Sequence, residues 1–183
     1  MQGAILGGDG AEIALADLPP FLRLLLTTDG TVTKSLEAFY WEPVKITQVE
    51  QHLRAKADTA DNADGARSSG ADVSAVGAHG QTPQELIRRV KLVGALSERP
   101  YARALSCVQI ELLPAHLAQN LLAGEIGIGE LVRTSGLDTF RQILDLGLCQ
   151  SGGGAEIWRQ YAIYFNHLPL IDITEWFSLA VYQ

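Results

Sequence analysis

The sequence predicts a single α+β domain built on a mainly antiparallel sheet. Helical apolar spacing is concentrated early in the chain, while runs with a period of two dominate the second half. Short turn signals, rather than helix-length crossovers, join those runs. A chain of 183 residues suits one domain with its own core. The expected boundaries are a mobile Gly- and Ala-rich segment at 1–16 and a folded domain at 17–183.

In LADLPPFLRLLLTTDG, Asp17 is a candidate cap and the prolines suit a first helical turn, where a missing N–H costs little. Phe21, Leu24 and Leu25 give helical spacing, and Asp29-Gly30 is a turn signal. TVTKSLEAFYWEP predicts a second helix with Thr33 as N-cap. Its apolar stripe is Leu36, Phe39 and Tyr40, and Lys34 and Glu37 lie on the exposed side. VKITQVEQHL reads as a strand. Residues 55–82 are Ala, Asp, Gly and Ser with almost no large apolar groups, so burial there cannot offset the entropy of ordering. They predict a long disordered loop, part of which could serve as a lid.

ELIRRVKLVG and YARALSCVQIELL predict two strands joined by ALSERP, and Pro114 opens a short helix. LDTFRQILDLG shows helical spacing at Phe140, Ile143 and Leu144, and SGGG reads as a flexible joint. EIWRQYAIYF and LIDITEWFSLAVY are β-rich runs around a tight turn at NHLP.

Composition narrows the function classes. The net charge of -7 argues against a nucleic-acid partner, since such binders carry a basic patch or stripe. No apolar run is long enough to span a bilayer, and the start of the chain lacks the basic n-region of a signal peptide. Two cysteines give no disulfide framework and four scattered histidines give no metal spacing, so a cytoplasmic protein is expected. The oligomeric state is not legible; a monomer is compatible with the sequence. GEIGIGEL lacks the rest of a dinucleotide fingerprint, and SGGG lacks the Lys of a phosphate loop. Ser106, Cys107 and Cys149 have no triad-like context.

Three charged residues stand out by alternation. Glu175 falls in line with Ile171, Ile173 and Phe177 on an apolar strand face. A carboxylate there is costly unless a cation partners it, so it is a candidate for function; an edge position or a structural ion pair is the competing explanation. Arg88 shares a face with Val90 and Leu92, whereas Arg89 and Lys91 fall on the solvated face. An inward guanidinium is a natural carboxylate clamp, unless it pairs with a structural acid such as Glu175. Arg103 shares a face with Tyr101, Leu105 and Cys107. The argument there is weaker, because the opposite face (Ala102, Ala104, Ser106, Val108) is also mostly apolar.

The order of LLLTTDGTVTKSLEAFYWEPV, RRVKLVG…RPYARALSCVQIELLP, IGIGEL and YFNHLPLIDITEWF resembles the chorismate pyruvate-lyase family, in its cyanobacterial, plastid and mycobacterial branch. The resemblance covers most of the chain from about residue 18 onward, apart from 55–82. It implies an α+β domain whose sheet and helices enclose a ligand cavity. It also implies cofactor-independent elimination of pyruvate from chorismate to give 4-hydroxybenzoate, for quinone biosynthesis. Arg88 takes the place of the family's carboxylate-binding Arg, and Glu175 that of its Glu, near the departing oxygen. Val32 and Ile128 take apolar contact positions. A second Arg of the bacterial enzymes aligns with Leu105, and Arg103, two residues earlier, is the candidate replacement for the enolpyruvyl carboxylate. The alternative implied by the same fold is a non-catalytic sensor or carrier of aromatic acids.

Overall fold

The computed structural model describes residues 4–6, 12–55, 84–124 and 126–183. The loop expected at 55–82 lies outside these residues, except that Ala55 ends a strand. The described parts form an α+β arrangement around one six-stranded antiparallel sheet, as the sequence predicts.

Short strands β1 (Ala4–Leu6) and β2 (Glu12–Ala14) pair as a separate ribbon. The segment expected to be mobile therefore holds paired backbone, and Ile5 is buried in the core. Helices α1 (Pro20–Thr27) and α2 (Val32–Tyr40) follow. Asp17 does not cap α1: it lies in a 3-10 turn, and Pro19 occupies the N-cap position. Thr31, not Thr33, precedes α2. The buried stripe of α1 is Leu22, Leu25 and Leu26, while Leu24 is half exposed, so the face is rotated from the expected one.

The sheet runs in the order β3 (Val44–Ala55), β4 (Gln84–Gly94), β5 (Pro100–Gln109), β8 (Leu168–Ser178), β7 (Gly154–Phe165), β6 (Thr139–Ser151). Helices α3 (Ala115–Leu122) and α4 (Ile128–Thr134) fall between β5 and β6, and a last turn, α5 (Leu179–Tyr182), closes the chain. Two hairpins fix the register of β6, β7 and β8. Asn166 and His167 both have positive φ, which matches the twist of a two-residue loop between Phe165 and its partner Leu168. The SGGG stretch is no flexible joint, because Ser151 pairs with Gly154 around Gly152 and Gly153.

The largest correction is LDTFRQILDLG, which is strand β6 and not a helix. The register shifts between Ile143 and Asp145. The extra residue at this bulge, Leu144, moves the apolar positions on either side out of strict alternation, and the result mimics helical spacing.

Among the described residues, the helices pack on one face of the sheet, in two clusters. In one, Leu22, Leu25, Leu26 and Leu36 of α1 and α2 meet Leu92, Ala102, Ile157 and Phe177. In the other, Leu117, Leu121, Leu131 and Val132 of α3 and α4 meet Leu86, Val108, Ile163, Ile171 and Ile173.

Candidate functional site

Between the two apolar clusters the inward face of the sheet changes character. Along β4 it reads Leu86, Arg88, Val90, Leu92; along β5, Val108, Ser106, Ala104, Ala102. Along β8 it reads Ile173, Glu175, Phe177, and along β7, Ile163, Tyr161, Arg159, Ile157. Strand alternation therefore places a band of polar groups across the sheet, sandwiched by core on either side. The small residues Ala104 and Ser106 leave room above the central strand. A cavity of about 260 Å³ lies there, roofed by the starts of α2 and α4. This is near the small end of ligand pockets, which run from roughly 300 Å³ upward, and suits a single-ring acid rather than a nucleotide.

Glu175 and Arg88 both line this cavity and both are buried, at 6% and 2% exposure. The pairing register aligns Arg88 with Ser106 and Ser106 with Ile173, and separately aligns Ala104 with Glu175. Arg88 and Glu175 are thus two strands and two residues apart, or about 12 Å between backbones. They face one space without pairing with each other.

The partner of Glu175 is Arg159, whose Nε donates to Oε2 at 2.7 Å. Arg159 is 1% exposed and also donates to the carbonyls of Leu25 and Thr28 at the end of α1. It supplies the cation that a buried carboxylate needs, and one of its terminal nitrogens is satisfied by the two carbonyls. Tyr161 donates its hydroxyl to the second oxygen of Glu175 at 3.2 Å. Burial, and next the charge of Glu175, push the Tyr161 phenol well above its ordinary range, so it remains a neutral donor.

Arg88 is held differently. One terminal nitrogen donates to the carbonyl of Ile126 at 2.7 Å, and its Nε is buried without a partner. Burial pulls its guanidinium below the usual range, but an arginine in a protein stays charged.

Val32 and Ile128 line the cavity at the first residues of α2 and α4. Arg103 does not line it. It lies on the opposite face of β5, paired with Glu156 at 2.7 Å and stacked over Trp176. The inward face is the Ala102, Ala104, Ser106, Val108 set, so Arg103, expected to reach the cavity, points away from it. Lys34 and Glu37, expected on an exposed side, form an ion pair at 2.7 Å on the cavity wall. Among the described residues no group of three or more His, Cys, Asp or Glu side chains could hold a metal. No helix among them is long and apolar enough to cross a membrane.

Two inward cations escaped the sequence reading. Arg159 alternates with Ile157, Tyr161 and Ile163, the same signal that exposed Arg88. Arg141, which also lines the cavity, was hidden by the helical reading of β6.

Comparison with known proteins places the chain in a family. The family described as "Chorismate pyruvate-lyase Rv2949c-like" matches residues 26–183, most of the chain. A curated relative, "Putative lyase MJ0807" of Methanocaldococcus jannaschii, is 24% identical over 170 residues, covering 86% of this chain and 77% of its own length. Both point to a lyase.

Proposed function

Because the chain belongs to the Rv2949c-like chorismate pyruvate-lyase family, we propose that it eliminates pyruvate from chorismate to leave 4-hydroxybenzoate. The observation that carries this reading is one cavity with an unsaturated guanidinium on one wall and an oriented carboxylate on the other.

The ether bond between the ring and the enolpyruvyl oxygen breaks, and its electron pair leaves with the oxygen. The neighbouring ring carbon keeps its hydroxyl and loses its hydrogen as a proton, and the C–H electrons complete the aromatic ring. The departing enol fragment gains a proton and tautomerises to pyruvate. The exchange is redox-neutral and ends in an aromatic ring, so the protein need only position the substrate and stabilise developing charge.

Arg88 grips the ring carboxylate with its planar fork. Glu175, held by Arg159 and Tyr161, accepts a hydrogen bond from the ring hydroxyl beside the breaking bond. A carboxylate so partnered acts as a hydrogen-bond acceptor. Val32 and Ile128 supply apolar walls that exclude water and strengthen these contacts.

The test is to incubate purified protein with chorismate and quantify 4-hydroxybenzoate and pyruvate. Equal amounts of both are expected, with turnover reduced about 10- to 100-fold in Glu175→Gln, the worth of a hydrogen bond to a charged group. Folded protein that makes neither product would overturn the proposal. Retained binding of 4-hydroxybenzoate in that case would identify an aromatic-acid sensor or carrier.

A further inference from the structure

The cavity carries more positive charge than a single carboxylate requires. Its lining includes three acids, and each has its own cation: Glu37 with Lys34, Glu130 with Arg133, and Glu175 with Arg159. Two lining cations remain, Arg88 and Arg141, and neither forms an ion pair with an acid among the described residues. A protein of net charge -7 thus presents two unmatched positive charges to one small cavity.

The arrangement of the two is also informative. They sit on β4 and β6, at opposite sides of the cavity, with β5, β8 and β7 between them. Arg141 donates one terminal nitrogen to the carbonyl of Asp29, in the turn between α1 and α2. Its Nε is buried with no hydrogen-bond partner, as is that of Arg88. Buried donors without partners are rare and costly, and two in one cavity point to absent acceptors. The first turn of α2 adds to this. Thr31 makes no side-chain cap, so the leading peptide N–H groups of a nine-residue helix lie at the wall without that partner.

We propose that Arg141 binds the second carboxylate of a dianionic ligand and so separates substrate from product. The inference rests on the lyase reading for the identity of that group, the enolpyruvyl carboxylate. On that reading the substrate has two carboxylates, while the aromatic product keeps only the one on Arg88. Arg141 also faces the fragment on which negative charge grows as the ether bond breaks. This role was expected of Arg103, which the sheet turns to its other face.

The test uses two stable aryl ethers, so that it does not depend on turnover. 3-(Carboxymethoxy)benzoate carries both carboxylates in the substrate's connectivity, and 3-methoxybenzoate carries only the ring carboxylate. Calorimetric titration of the full chain should show the dicarboxylate binding about 10- to 100-fold more tightly, the range expected for a hydrogen bond to a charged group. Arg141→Gln should erase that preference while changing affinity for 3-methoxybenzoate by less than about threefold. Arg88→Gln should weaken both ligands. Arg141→Lys, which keeps the charge and loses the fork, should retain part of the preference. Equal weakening of both ligands in Arg141→Gln would mean that Arg141 only braces the α1–α2 turn, and would overturn the proposal. So would a wild-type protein without preference. Melting curves of each variant verify that it is folded. A clear dicarboxylate preference in a protein that fails to turn over chorismate would reject the lyase reading alone.

Discussion

Replacing Arg159 with methionine should cost about 3–5 kcal/mol of stability, a large share of the ~5–15 kcal/mol of a typical domain. The magnitude follows from what the substitution leaves behind. Arg159 is 1% exposed, and its loss strands the Glu175 carboxylate and the carbonyls of Leu25 and Thr28 in the interior. Glu175→Gln is milder, at about 1–3 kcal/mol, because the neutral amide keeps an acceptor oxygen for one of its two donors, Arg159 or Tyr161, and leaves no buried carboxylate unpaired. If the two residues act as one unit, the double variant should be less destabilised than the sum of the singles, by about 1–3 kcal/mol. Urea unfolding of the four proteins in the cycle measures this directly, with the slope checked for constancy. Additivity within about 0.5 kcal/mol would refute the argument that this ion pair holds the carboxylate in place.

Two further predictions concern the frame of the site. Glu42 accepts hydrogen bonds from Ser97 Oγ at 2.6 Å, from the amides of Leu96 and Ser97 at 2.9 Å, and from the Tyr101 hydroxyl. The Ser97 hydroxyl, then the Tyr101 hydroxyl and the backbone amides, hold its carboxyl down at about 2 from an ordinary 4.5. A depressed folded-state value means stability that is present above 4.5 and lost as pH falls toward 2. Glu42→Gln should therefore flatten the acid limb of the melting temperature between those limits, and an unchanged limb would contradict it. Gly147 is buried on β6, and a Cβ there would lie 2.2 Å from the Trp158 ring. Gly147→Ala should cost about 1–3 kcal/mol by overpacking, measured by urea unfolding, and a neutral result would show that the indole moves freely.

The sequence carried the architecture further than the site. Alternation placed Arg88 and Glu175 inward, since their strands are regular around those positions and one face of each is plainly apolar. It failed at β5, where Ala102, Ala104, Ser106 and Val108 are small enough to read as either face, and the cavity occupies the space they leave. It failed at β6, where the bulge at Leu144 imposes a false period and conceals Arg141. Arg159 was legible by the same rule as Arg88. What alternation cannot supply is pairing across the sheet. That β7 lies beside β8, with Arg159 opposite Glu175, is a matter of register. By alternation alone, Arg88 is as good a partner for the glutamate as any other inward cation.

A crystal structure of the protein with 4-hydroxybenzoate bound tests the central claim most directly. Density for the ring should fill the space above Ala104, its carboxylate against the Arg88 guanidinium and its phenol oxygen toward Glu175. A ligand seated elsewhere, or one reversed in the same cavity with its carboxylate away from Arg88, would contradict the account.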